Sequence, residues 1–200
     1  SHPKSFDFIK SFCGEAQVLV AGSTWPADEK LLAQLIKQHP DWKLIIAPHE
    51  ISEEKINALE ALFDSNSTIR YSVLDTQIAI RKFQYAILII DNIGMLSSLY
   101  QYGCIAYIGG GFGSGIHNTL EAAAFGLPIL FGPNYYKFQE AKDLIDLGAA
   151  FSIKNGSEFE TLFDKMSEEN CSARCGKTAK AYVENNTGAT ARIIHHILGV

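Results

Sequence analysis

The residues whose types and spacing could do chemistry lie at positions 109–128, GGGFGSGIHNTLEAAAFGLP. Five glycines within residues 109–115 open the backbone where a strand-like run meets a helical one. Backbone amides gathered there, at the positive end of a helix, favour an anion. Asn118 and Glu121 stand three apart, on one face of the first helical turn. The two oxygens of a carboxylate offer paired acceptor sites that match a vicinal diol. Together these groups describe a pocket for a phosphorylated ribose, with Glu121 on the ribose hydroxyls and Gly111, Gly113, Ser114 and Gly115 on the phosphate side. Plainer roles are open to the same residues. Glu121 can serve only to complement the helix dipole, and Asn118 can be an N-cap, with or without a ligand contact.

Several other chemistries lack their residues. No Asp-x-Asp and no His/Asp/Glu cluster of metal-ligand spacing occurs, which disfavours metal-dependent phosphoryl or glycosyl transfer. Gly113-Ser114-Gly115 does not fit the Gly-x-Ser-x-Gly nucleophile elbow. A dinucleotide fingerprint follows the first strand of its fold, whereas this glycine loop follows a late one. The first turn, AGSTW at 21–25, lacks the glycine spacing a pyrophosphate needs. Net charge is -5, with no basic cluster longer than Arg81-Lys82, which argues against a nucleic-acid surface. Cys13, Cys104, Cys171 and Cys175 form no Cys-x-x-Cys pair and read as free thiols in a reducing compartment. No apolar run approaches the ~20 residues that span a bilayer, and no signal peptide precedes the first strand. The chain opens abruptly after Ser1-His2, as an excised domain with a tag remnant would.

The elements that must position the glycine loop follow from hydropathy. With 47% hydrophobic and 20% charged residues, the 200-residue chain suits one well-cored domain. Apolar runs at 17–21, 43–47, 69–73, 86–90, 105–108, 128–131 and 149–153 read as strands. Helical patterns fall at 26–38, 53–63, 94–100, 118–125, 137–147, 157–166, 171–184 and 189–198. Residues 75–84 have no firm period and read as irregular or as a small hairpin. This alternation predicts one doubly wound α/β domain, a parallel sheet of about six strands with helices on both faces. Ligands in such sheets bind outside the carboxyl ends of the strands. Gly22-Ser23-Thr24, Pro48-His49, residues 91–95 and the glycine loop each follow a strand and should line one crevice, with Gly22 and Ser23 joining the phosphate side. His49 is either structural or a donor to a phosphate oxygen. Tyr135, Tyr136 and Phe138 either pack or flank a sugar or base, and His195-His196 reads as surface.

The order of these segments resembles a known family. AGSTW at 21–25, APH at 47–49, DNIGML at 91–96, HNTLEAA at 117–123, PILFGP at 128–133 and Phe138-Gln139-Glu140 follow one another as in the C-terminal half of 3-deoxy-D-manno-octulosonic acid (Kdo) transferases. The resemblance spans nearly the whole chain, and its specific part runs from the glycine loop through Glu140. It implies a Rossmann-like domain, the C-terminal half of a GT-B glycosyltransferase. It also implies that Pro48, His49, Ile93, Gly94, Met95, Asn118, Thr119, Leu120 and Glu121 contact the CMP of the donor CMP-Kdo, with Glu121 on the ribose. The family carries Arg where this chain has His49.

The implied reaction transfers Kdo, with inversion, from CMP-Kdo to a lipid A precursor in lipopolysaccharide core assembly, with no metal and no cofactor. The acceptor site and the catalytic base, a glutamate, belong to an N-terminal domain outside these residues. On that reading the 200 residues are one donor-binding domain, inactive alone and soluble. The whole enzyme would then sit at the cytoplasmic face of the bacterial inner membrane, and nucleic acid is not a partner. Other GT-B transferases and UDP-sugar epimerases share the glycine loop and the helix-borne glutamate. A non-catalytic nucleotide-sugar binding module is the alternative of another class.

Overall fold

The computed structural model describes residues 3–74 and 85–187. The expectations for 75–84, for the helix at 189–198 and for His195-His196 lie outside the described residues. Seven strands, rather than about six, form one sheet: β1 (Gln17–Thr24), β2 (Trp42–Pro48), β3 (Thr68–Arg70), β4 (Ile87–Ile89), β5 (Ile105–Ile108), β6 (Ile129–Phe131) and β7 (Ala150–Ser152). Their order is β3-β4-β2-β1-β5-β6-β7, and every pairing is parallel. The chain winds outward from β1 on one side, then returns to lay β5 on the other. The topological switch point therefore lies between β1 and β5, where such sheets bind ligands.

Helices cover both faces, because the strands are apolar on both. Val18, Val20, Ile45, Leu88, Ala106 and Ile129 turn to one face. There they meet α1 (Asp7–Cys13), α5 (Leu96–Leu99), α6 (Leu120–Ala124) and α7 (Gln139–Asp146) through Ile9, Phe12, Leu99, Ala122, Ala123 and Leu144. Leu19, Leu44, Ile46, Ile87, Ile105 and Tyr107 turn to the other face. They pack on α2 (Pro26–Gln38), α3 (Glu53–Glu60) and α8 (Gly156–Ser167) through Leu32, Leu35, Ile56, Leu59, Phe159 and Phe163. The long α9 (Glu169–Thr187) serves both: Cys171 and Cys175 join the second cluster and Ala179 the first.

Four local departures from the sequence expectation bear on the site. β1 does not end at Ala21 but runs on to Thr24, with a register shift between Gly22 and Thr24. Ser23 sits at that shift with φ +53°, the only non-glycine of positive φ among the described residues. Residues 71–74 are helical, α4 (Tyr71–Leu74), rather than the end of a strand. The helix after the glycine loop starts at Leu120 rather than Asn118 and holds five residues. The N-terminal α1 was not anticipated; Ile9 and Phe12 bury it against the sheet.

Candidate functional site

The glycine loop is held to its neighbours by close backbone approach. A Cβ on Gly109 would fall 2.3 Å from the Ser23 carbonyl oxygen, and one on Gly111 would fall 2.6 Å from the Gly132 backbone. The loop thus lies wedged between the ends of β1 and β6, where no side chain fits. Gly22, expected on the phosphate side, is buried within β1 and faces Leu96 and the Tyr100 hydroxyl.

Asp28, in the first turn of α2, ties this edge together. It is fully buried. Its Oδ1 accepts the Tyr107 hydroxyl at 2.7 Å, and its Oδ2 accepts the amides of Gly110 and Trp25, each at 2.9 Å. One carboxylate therefore links α2, β5 and the loop. Burial, then the neighbouring Asp28, pushes the Tyr107 phenol well above its ordinary range, so it remains a donor. Beside it, Glu29 is buried and accepts the Thr24 hydroxyl at 3.2 Å; burial raises its pKa and that hydrogen bond opposes the rise. Neither Asp28 nor Glu29 was among the site residues expected from the sequence.

Three rings gather where β1, β2 and the glycine loop end. His49 stacks on Trp25 and on His117, with ring centroids 4.6 Å apart in each case. The Trp25 Nε1–H donates to His117 Nε2 at 3.3 Å. The His49 amide donates to the Thr24 carbonyl at 2.9 Å, which docks the end of β2 on β1. Beside Trp25, a cleft of about 290 Å³ opens between the start of α2 and the loop, lined by Pro26, Asp28, Phe112, Gly113 and Ser114.

The expected cradle of free amides is partly closed. Gly113 and Gly115 donate to the Gly110 carbonyl, at 2.9 and 3.2 Å, and His117 to that of Gly109 at 3.2 Å. Those N–H groups shape the loop rather than face a ligand. With five residues, α6 also carries little macrodipole. Asn118 lies one residue before the N-cap, Thr119, and its Oδ1 accepts the Leu120 amide at 2.9 Å. Its Nδ2 donates to Glu121 Oε1 at 3.2 Å, so the pair is joined at the mouth of the crevice. Thr119 is buried, and its hydroxyl has no partner among the described residues. Leu120 is partly exposed.

Beyond β4, Ile93 stands 85% exposed, Gly94 takes φ +88°, and Met95 is buried ahead of α5. Asp91 accepts the Ser72 amide at 2.9 Å and holds α4 to this edge. Tyr100, buried beneath Gly22, has its pKa raised by burial and then by the charge of Glu121. Tyr135 packs on Phe131 with centroids 5.4 Å apart, and the Phe138 ring lies against Gly115. No group of three His, Cys, Asp or Glu that could hold a metal occurs among the described residues, and no helix among them is long and apolar enough to cross a membrane.

No family model matches the chain. It is 30% identical over 186 residues to the 3-deoxy-D-manno-octulosonic acid transferase of Rickettsia felis, covering 89% of this chain and 39% of that protein. It is 29% identical over 158 residues to the transferase of the same name from Aquifex aeolicus, covering 76% of this chain and 42% of that protein. The chain thus spans about two fifths of the length of the curated relatives it matches. The structure aligns with the C-terminal CMP-Kdo binding domain of WaaA from Acinetobacter baumannii with a TM-score of 0.64 at 22% identity, covering 86% of this chain and 97% of that one. The fold is therefore that of a GT-B C-terminal domain, and the chain is homologous to Kdo transferases over most of its own length.

Proposed function

We propose that this chain is the donor-binding domain of a Kdo transferase and that it holds CMP-Kdo at the carboxyl edge of its sheet. The observation that carries this reading is the joined Asn118–Glu121 pair at the switch point. Asn118 engages Glu121 Oε1, and Oε2 has no protein donor among the described residues. That oxygen is available to a ribose hydroxyl, with Asn118 holding the carboxylate in place. Exposed Ile93, on the turn that Gly94 allows, offers an apolar ledge for the base, and buried Met95 anchors it. Pro48-His49, Ser23 and Ser114 surround the phosphate, with Thr119 and Leu120 shaping the floor.

In this reading the domain positions the donor and stabilises the departing CMP phosphate by hydrogen bonds, without a metal. A lipid A precursor hydroxyl attacks the anomeric carbon of Kdo, the bond to the CMP oxygen breaks, and the carbon inverts. The acceptor, the glutamate base and the contact with the inner membrane's cytoplasmic face belong to an N-terminal domain. These 200 residues then fold as one domain and transfer no sugar unaided. Isothermal calorimetry with CMP, UMP and AMP tests the reading: CMP binds most tightly. Equal or tighter UMP binding refutes it in favour of a UDP-sugar enzyme.

A further inference from the structure

The imidazole of His117 is held in one tautomer. An indole N–H can only donate. The 3.3 Å contact from Trp25 Nε1 therefore makes His117 Nε2 the acceptor. The single proton of the neutral ring must then sit on Nδ1. His49 stacks on both rings and covers the pair. The His117 amide, bonded to the Gly109 carbonyl at 3.2 Å, fixes the backbone beneath it. Among the described residues no protein acceptor takes the Nδ1–H, and Nδ1 is not a buried orphan. It is left to whatever occupies the mouth of the glycine loop.

We propose that His117 donates its Nδ1–H to a phosphate oxygen of the bound nucleotide, and that Trp25 is the positioning residue that sets this tautomer. The inference rests on the donor-site reading above. Its placement argues for phosphate: His117 follows the glycine loop and precedes the Asn118–Glu121 pair, so it stands where phosphate would leave the ribose. A proton fixed on Nδ1 costs no tautomer selection when the ligand arrives. The titratable groups facing His117 are His49 from the end of β2 and Asp28 from the first turn of α2; Glu121 lies four residues on along its own segment. Burial, and then His49, hold its pKa below the ordinary value, against Asp28, which keeps the ring a neutral donor at neutral pH.

Two readouts test this on the whole chain. Nitrogen-15 NMR of the imidazoles reports the tautomer with no ligand present. His117 is expected as the Nδ1–H form, titrating below the usual ~6.5. Trp25→Phe removes the donor to Nε2, so both tautomers become populated and the midpoint rises. Calorimetry then compares CMP with cytidine, which lacks the phosphate. His117→Ala weakens CMP about tenfold, the loss of one hydrogen bond to a charged group, and leaves cytidine unchanged. His117→Asn places an amide N–H near the Nδ1 position and recovers most of the CMP affinity, which also covers poor folding of the alanine variant. An Nε2–H tautomer in the wild type overturns the inference, as does an equal loss, or no loss, for CMP and cytidine. A wild-type chain that binds no nucleotide overturns the donor-site reading and this inference with it; CMP binding indifferent to His117 overturns the inference alone.

Discussion

The two flanks of the switch point are built differently. On the β1 side, Asp28, Trp25, His49 and His117 are tied to one another and to the glycine loop by hydrogen bonds and stacking. On the β4 and α6 side, Ile93 and Leu120 stand out in solvent, and Glu121 is held by one amide at 3.2 Å. The first flank spends most of its polar groups on the fold, the Nδ1–H of His117 excepted, and the second leaves them to a partner. A buried polar group must be satisfied when the chain folds, whereas an exposed one can wait for a ligand. Substitutions at the two carboxylates should therefore separate, with stability falling at Asp28 and affinity at Glu121.

Asp28→Ala should have the largest effect. It orphans the Trp25 and Gly110 amides and the Tyr107 hydroxyl together, a loss of about 2–5 kcal/mol for a broken buried network. Calorimetric melting should show Tm lower by roughly 5–15 °C for a chain of this size. An unchanged Tm would break the contrast, since the flank would then not be holding the fold. Glu121→Gln should do the reverse: CMP affinity falls by about 1–3 kcal/mol, and Tm barely moves. A large drop in Tm with intact binding would return Glu121 to a purely structural role.

A smaller effect concerns acid. His117 has a lowered folded pKa, so the proton binds the unfolded chain more readily. Its contribution to stability is complete above the ordinary histidine range near ~6.5 and is lost as pH falls through the lowered folded value. Denaturant midpoints measured from pH 7.5 to 5 should decline, and less so in His117→Ala; a flat profile in the wild type would remove the imidazole from the stabilising flank. The smallest expected effect is none: EDTA should leave CMP affinity unchanged. A requirement for magnesium or manganese would show that the open flank holds its ligand through an ion.

The alternation of strands and helices was legible because both faces of each strand are apolar and each helix has its own period. The helix Pro26–Gln38 matches its expected bounds, since Pro26 starts it and His39 ends it. The start of α6 was misplaced because Asn118 is a good N-cap by type, yet its side chain bonds two residues on instead. Ser23 was read as a turn because β1 looks finished at Ala21. The pairing of Gly22 with Ala47 and Ile108, and of Thr24 with Pro48, carries the strand further. Within the site, Asn118 and Glu121 were visible because they are neighbours in sequence. Asp28 and Trp25 were not, because their partners stand 79 to 92 residues away and no local pattern announces them.

Helix α9 adds a constraint on synthesis. It is the last described helix, yet it seals both sides of the sheet and meets the end of α6 so closely that a Cβ on Gly176 would fall 2.0 Å from the Gly126 carbonyl oxygen. At about 5–20 residues per second, a ribosome takes roughly 8–32 s to go from β1 to residues 171–179. Throughout that interval neither apolar face can be closed, and a half-made chain carries open β-edges beside uncovered valine and isoleucine. Until α9 emerges, such a nascent chain exposes the apolar surface and strand edges that make folding intermediates prone to aggregate.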